Sequence, residues 1–277
     1  MATVHANGVD VRVNRYRVGP EGERPVIVFI HGLGIVDHSG LSFTLGMPLA
    51  PDADAILYAL RGHGHSEVMP SGYRVVDHTA DLLALLDALD VDQPVHLVGC
   101  SYGGVVAIAT AARHPQRVAS VFLIDPVVPV SGWPRRVLAM LEPAAAKLSG
   151  EYTIDDVMAA LGGASRRKAA AAAERAERLL LNTTLIDDAR GEPALADDEF
   201  ARIACPVLAV YGDRSEMYPL ADELRARVPG ARVHVIAGAD HLSVFGHTRE
   251  LGDQIRRFVG LPAIERGELV AGATPPG

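Results

Sequence analysis

The chain has 277 residues, long enough for one large α/β domain or two small ones around a substantial core. Hydrophobic residues make up 49% and charged residues 22%, the balance of an ordinary globular protein. The net charge of −8 and a pI near 5.7 argue against a nucleic acid or an anionic membrane as partner, because both need clustered Lys and Arg to displace counterions.

Residues 1–8 hold neither a basic segment nor an apolar stretch, so no signal peptide is read, and no run reaches the ~18 apolar residues of a membrane span. Cys100 and Cys205 are therefore expected as free thiols in a reducing compartment, the cytoplasm. The one compact basic run, Arg166-Arg167-Lys168, is soon followed by Glu174 and Glu177 and reads as a solvated helix face. Arginine is abundant while lysine occurs only at 147 and 168, a usage bias expected of a GC-rich bacterial genome.

Val9, Val11 and Val13 alternate with Asp10, Arg12 and Asn14, which predicts a half-buried antiparallel strand over 9–17 with Asn7-Gly8 as its hairpin turn. After a loop at 19–24, residues 25–30 are continuously apolar, as in a strand covered on both faces, and run into His31-Gly32-Leu33-Gly34. Residues 55–60 repeat that pattern and close with Arg61-Gly62-His63-Gly64-His65-Ser66. Between 77 and 89, Leu82, Leu83, Leu85, Leu86 and Leu89 recur at helical spacing opposite Asp81, Asp87 and Asp90, an amphipathic helix laid on a sheet. Residues 95–100 read as a buried strand, the residues after Ser101 as a helix stopping near His114-Pro115, and 118–124 as another buried strand. This alternation predicts an α/β fold with a mostly parallel sheet flanked by helices.

After Asp125-Pro126 the alternation stops. Residues 131–196 show no strand-like run, and helices are predicted at 135–148, 154–161 and 164–181. Strand 207–211, helix 219–228, strand 232–236 and helix 248–259 then follow. The reading is a core of residues 1–130 and 197–260, an inserted helical cap at 131–196 and a flexible tail at 261–277.

Chemistry concentrates where strand 95–100 meets its helix, at Gly99-Cys100-Ser101-Tyr102-Gly103-Gly104. A Gly-x-Ser-x-Gly pattern at a strand-to-helix turn is the layout of a nucleophile elbow: the serine is forced into a strained conformation and small neighbours avoid clashes. The helix beginning just after it turns unpaired N–H groups and a positive dipole end toward any oxyanion formed there.

Taken together with His31-Gly32-Leu33-Gly34, Arg61-Gly62-His63-Gly64-His65-Ser66, Tyr211-Gly212-Asp213 and Gly238-Ala239-Asp240-His241, this segment resembles the α/β-hydrolase fold superfamily. The likeness is to its small cap-bearing members: esterases, lactonases, thioesterases, C–C bond hydrolases and cofactor-free haloperoxidases. It spans residues ~1–130 and ~200–260, and Ala59 departs from the Asp that relatives usually carry before the Arg-Gly-His-Gly turn.

The resemblance implies the order serine, acid, histidine along the chain. Of 11 histidines only His234, His241 and His247 follow residue 207. His234 lies within a strand and His247 near a helix start, so His241, in the loop at a strand's carboxyl end, is the expected base. Asp213, at the carboxyl end of strand 207–211, is the expected acid, with Asp125 after strand 118–124 as the alternative; Asp240 and Glu216 are set aside. The backbone N–H groups of Leu33 and Tyr102 are the expected oxyanion donors. Tyr102, Trp133 and Leu138 are expected to line the substrate pocket, with Met140, Leu141, Met158 and Leu161 as further candidates on an apolar lid. His63 and His65 read as parts of a turn, Cys100 as a buried bystander, and neither metal nor cofactor is expected.

These residues predict a serine hydrolase that cleaves a carboxylic ester or related acyl bond of a largely apolar small molecule through an acyl-enzyme. It is expected to act as a monomer or homodimer without nucleic acid or membrane. A thioesterase or lactonase of secondary metabolism, a C–C bond hydrolase, a cofactor-free perhydrolase and a non-catalytic ligand receptor remain alternatives.

Overall fold

Asn7 and Gly8 turn the chain between β1 (Ala2–Ala6) and β2 (Val9–Tyr16) with φ of 51° and 72°, the left-handed pair that a type I′ hairpin demands. The computed structural model describes residues 2–19, 24–33, 41–150, 152–153, 155 and 165–263. Its sheet has eight strands in the order β1-β2-β4-β3-β5-β6-β7-β8. Beyond the hairpin come β3 (Val26–Ile30), β4 (Asp54–Tyr58), β5 (Val95–Cys100), β6 (Val118–Ile124), β7 (Val207–Gly212) and β8 (Arg232–Ile236). β2 runs antiparallel to β4, and all later pairings are parallel.

Both faces of the central strands are covered, which is why they read as unbroken apolar runs. Val26, Val28 and Ile30 join Leu82, Leu85 and Leu86 of α1 (Val75–Ala88) and the apolar face of α2 (Tyr102–Arg113). Ile27 and Phe29 join Leu45, Leu49 and, from α8 (Thr248–Phe258), Leu251 and Ile255. All five β3 residues are buried, each such side chain contributing about 1.5–3 kcal/mol.

Between β6 and β7 lie α3 (Trp133–Ser149), α4 (Arg166–Leu181), α5 (Leu185–Arg190) and α6 (Asp197–Phe200), and α7 (Leu220–Arg227) follows β7. The six residues of α5 and four of α6 are too short to display helical periodicity, so sequence reading passes over them. The predicted helix at 154–161 falls almost wholly outside the described residues, as do residues 264–277 of the predicted tail. No helix among the described residues is long and apolar enough to cross a membrane, and Cys100 and Cys205 are free thiols.

A polar layer is sealed beneath the sheet's carboxyl edge. Asp81 of α1 receives Arg61 Nε at 2.7 Å and Asn7 Nδ2 at 2.8 Å, fastening both the Arg-Gly-His-Gly turn and the β1–β2 hairpin to α1. One turn earlier, His78 has no exposure and lies edge-on to the Tyr102 ring at 5.6 Å. Burial, reinforced by His63, Arg61 and His31, holds its pKa well below the ordinary 6.5. The unfolded chain takes up a proton here that the fold refuses, so stability is complete above pH 6.5 and declines as pH falls below it. The expected slope is up to about 1.4 kcal/mol per pH unit for one such group. Urea unfolding of His78→Leu should show a shallower acid slope than the wild type; an unchanged slope contradicts this assignment.

Candidate active site

Ser101 joins β5 to α2 with φ 51° and ψ −118°, a conformation non-glycine residues rarely adopt. Its backbone is anchored on both sides: Ser101 N–H donates to the Ile124 carbonyl at 3.0 Å, and its own carbonyl accepts from Gly104 and Val127. The flanking glycines are dictated by close approach. A methyl on Gly99 would sit 2.6 Å from the Gly103 carbonyl oxygen, and one on Gly103 would fall inside the Ile30 carbonyl. Only hydrogen fits at either place.

Opposite the elbow, β3 ends in His31-Gly32-Leu33. His31 Nε2 accepts the Leu60 N–H at 2.9 Å, which leaves its proton on Nδ1, and Nδ1 donates to the Gly32 carbonyl at 2.6 Å. The imidazole thus pins the loop to the end of β4. A methyl on Gly32 would lie 3.0 Å from Ser101 Cβ, so this loop passes directly against the serine.

Ser101 Oγ lies 3.1 Å from His241 Nε2, and His241 Nδ1 lies 2.6 Å from Asp125 Oδ2. All three side chains are buried. Asp125 follows β6 at a second left-handed position, φ 43°, and its other oxygen accepts the Gly212 N–H at 3.0 Å.

Here the structure corrects the expected acid. Asp213 does not meet His241: its N–H continues the ladder to the Ile236 carbonyl, and its exposed carboxylate accepts the Gly238 N–H at 2.6 Å. It braces the left-handed turn at Gly238, and the carboxylate on the imidazole comes from one strand nearer the serine.

A cavity of about 370 Å³ opens over Ser101 and His241. Leu33, Leu41, Met140, Leu242 and Phe245 form its apolar wall, and no Asp, Glu, Lys or Arg is among its described lining residues. Cys100 also borders it, but burial pushes that thiol up to about 12 and keeps it protonated.

Three expected lining side chains are elsewhere. The Tyr102 ring is buried between the rings of His78 and Trp133, and Trp133 donates its indole N–H to the Pro193 carbonyl at 3.0 Å. Leu138 shares the buried face of α3 with Val137, Leu141 and Ala145, and α3 packs on α4 and α5. Met140 sits just off that face and reaches the cavity. Met158 and Leu161 lie outside the described residues. His63 is buried with Nδ1 on the Arg61 carbonyl, and among the described residues no three His, Cys, Asp or Glu gather as a metal site would require. Leu242, Phe245 and Leu41 were not read from sequence, although two of them follow His241 within one helical turn.

Residues 25–248 match the family described as alpha/beta hydrolase fold. A pimeloyl-[acyl-carrier protein] methyl ester esterase of Chromobacterium violaceum is 31% identical over 248 residues, covering 83% of this chain and 92% of that protein. Among solved structures, an E-2-(acetamidomethylene)succinate hydrolase aligns with a TM-score of 0.72 at 25% identity, covering 94% and 98% of the two chains. An enol-lactonase of Burkholderia xenovorans aligns with a TM-score of 0.67 at 23% identity, covering 94% of this chain and all of the other, and shows likeness of fold.

The two aspartates separate experimentally. Asp125→Asn leaves no anion to hold the Nδ1–H tautomer and is expected to lower kcat on an activated ester by about 10⁴-fold. Asp213→Asn should stay within a few-fold of wild type, because its exposed carboxylate takes the Gly238 N–H and not the His241 imidazole.

Proposed function

The chain belongs to the α/β-hydrolase fold family, and on that premise we propose that it hydrolyses a carboxylic ester of a neutral, largely apolar small molecule through a serine acyl-enzyme. The observation that carries this reading is the relay from Ser101 Oγ through both nitrogens of His241 to the buried Asp125 carboxylate. Serine is a poor nucleophile at neutral pH and needs a base in hydrogen-bond reach whose tautomer is fixed. Asp125 at Nδ1 keeps the proton there and leaves the Nε2 lone pair for Ser101.

In this mechanism Ser101 Oγ attacks the ester carbonyl as His241 Nε2 takes its proton, and the imidazolium is stabilised by Asp125. The tetrahedral oxyanion receives the N–H groups of Leu33 and Tyr102, the first on the loop that His31 pins, the second at the positive end of α2. The alcohol leaves with the proton from His241, water then attacks the acyl group with His241 again as base, and the acid departs. The relative from Chromobacterium violaceum is named for cleaving a methyl ester, the same bond class.

The lining supports the substrate class. A charged group entering an apolar cavity would lose hydration without a partner, whereas an aliphatic chain gains about 0.8 kcal/mol per buried methylene. For a series of p-nitrophenyl esters, kcat/KM should climb up to about fourfold per methylene until the cavity is filled, then level off. Ser101→Ala should abolish this turnover, and intact-mass spectra of the wild type should show a transient acyl adduct absent from the variant. Turnover confined to thioesters or lactones overturns the ester reading.

A further inference from the structure

Ser215 makes a contact the reaction as described does not use. It stands two residues past Asp213 in the loop after β7, and it is 5% exposed. Its Oγ donates to Asp125 Oδ2, the same oxygen that receives His241 Nδ1–H. The direction of that bond is fixed from the other side: the Met217 N–H, 3.1 Å away, donates to Ser215 Oγ, so the single hydroxyl proton turns to the carboxylate.

Asp125 is therefore gripped at both oxygens by the end of β7 and its loop, Gly212 N–H on Oδ1 and Ser215 O–H on Oδ2. A carboxylate held by one amide alone retains freedom to rotate about its Cβ–Cγ bond, and rotation carries Oδ2 away from the imidazole. With both bonds in place Oδ2 stays aimed at Nδ1, and the imidazole in turn stays aimed at Ser101. The loop whose own acid faces Gly238 thus serves the site with donors instead of a carboxylate.

We propose that Ser215 is a positioning residue of the hydrolytic site, fixing the Asp125 carboxylate so that His241 is directed at Ser101. The inference rests on the reading that Ser101, His241 and Asp125 act as one unit.

The test compares Ser215→Ala with Ser215→Cys, which keeps nearly the same shape but offers only a weak S–H donor. Two rates are followed on folded protein: kcat with an activated ester, and covalent labelling of Ser101 by a fluorophosphonate, which needs no knowledge of the natural substrate. Both substitutions should lower both rates by about 10- to 100-fold, the loss expected for a hydrogen bond to a charged group, with KM within about twofold. In an Asp125→Asn background, adding Ser215→Ala should cost less than about threefold more, because the group it acts through has already lost its charge. Unchanged rates in either folded variant, a full additional loss in the Asp125→Asn background, or failure of both variants to fold would each overturn the proposal. If wild-type Ser101 is not labelled at all, it is the underlying reading of the site that fails.

Discussion

A carboxylate with no solvent exposure survives inside a protein only when its lone pairs are claimed by donors, and Asp125 is such a group. Its donors come from two other strands and the loops that follow them: Gly212 N–H at the end of β7, Ser215 O–H just after it and His241 after β8. One buried anion thereby ties three adjacent strand ends together, which the sheet order β6-β7-β8 makes possible. Removing it leaves an imidazole, a hydroxyl and an amide without their acceptor at a position with no solvent exposure, so its loss disturbs geometry as well as charge.

The serine and the aspartate of the hydrogen-bonded relay share a backbone device. Among the described residues four non-glycine residues have positive φ, and two of them, Asn7 and Asp90, lie in ordinary turns. The other two are Ser101 and Asp125, at the ends of neighbouring strands. Each is locked by a neighbouring strand: Ser101 N–H bonds the Ile124 carbonyl of β6 and its carbonyl takes the N–H of Val127, while Asp125 N–H bonds the Val210 carbonyl of β7. The strain is maintained by contacts that would be lost if either turn relaxed. Gly103 lets the start of α2 press on the Ile30 carbonyl, bringing the loop after β3 and the elbow together.

Much of this was legible in the sequence. Strands at 118–124 and 232–236 fall where the apolar runs place them, and Asn7-Gly8 forms its hairpin, because patterning and turn chemistry act locally. Ser101 and His241 stand out through the elbow spacing and the position after the last strand. The acid does not, since Asp125 and Asp213 both follow buried strands and only side-chain direction tells them apart. The N–H of each continues the ladder, Asp125 to the Val210 carbonyl and Asp213 to that of Ile236, and direction is set by the φ that follows, 43° at Asp125 and not positive at Asp213. Trp133 and Leu138 mislead for a related reason: an amphipathic helix announces an apolar face without saying whether neighbouring helices or a substrate will cover it. Ser215 carries no local pattern, and the rule that reveals it is tertiary, the need of a buried carboxylate for donors.

The hydrogen bond between His241 Nδ1 and the acid is directly observable as a low-field proton resonance in the NMR spectrum of the resting enzyme. One such signal, lost in His241→Gln and in Asp125→Asn and retained in Asp213→Asn, is the result this account predicts. A signal that survives Asp125→Asn and vanishes in Asp213→Asn would contradict it.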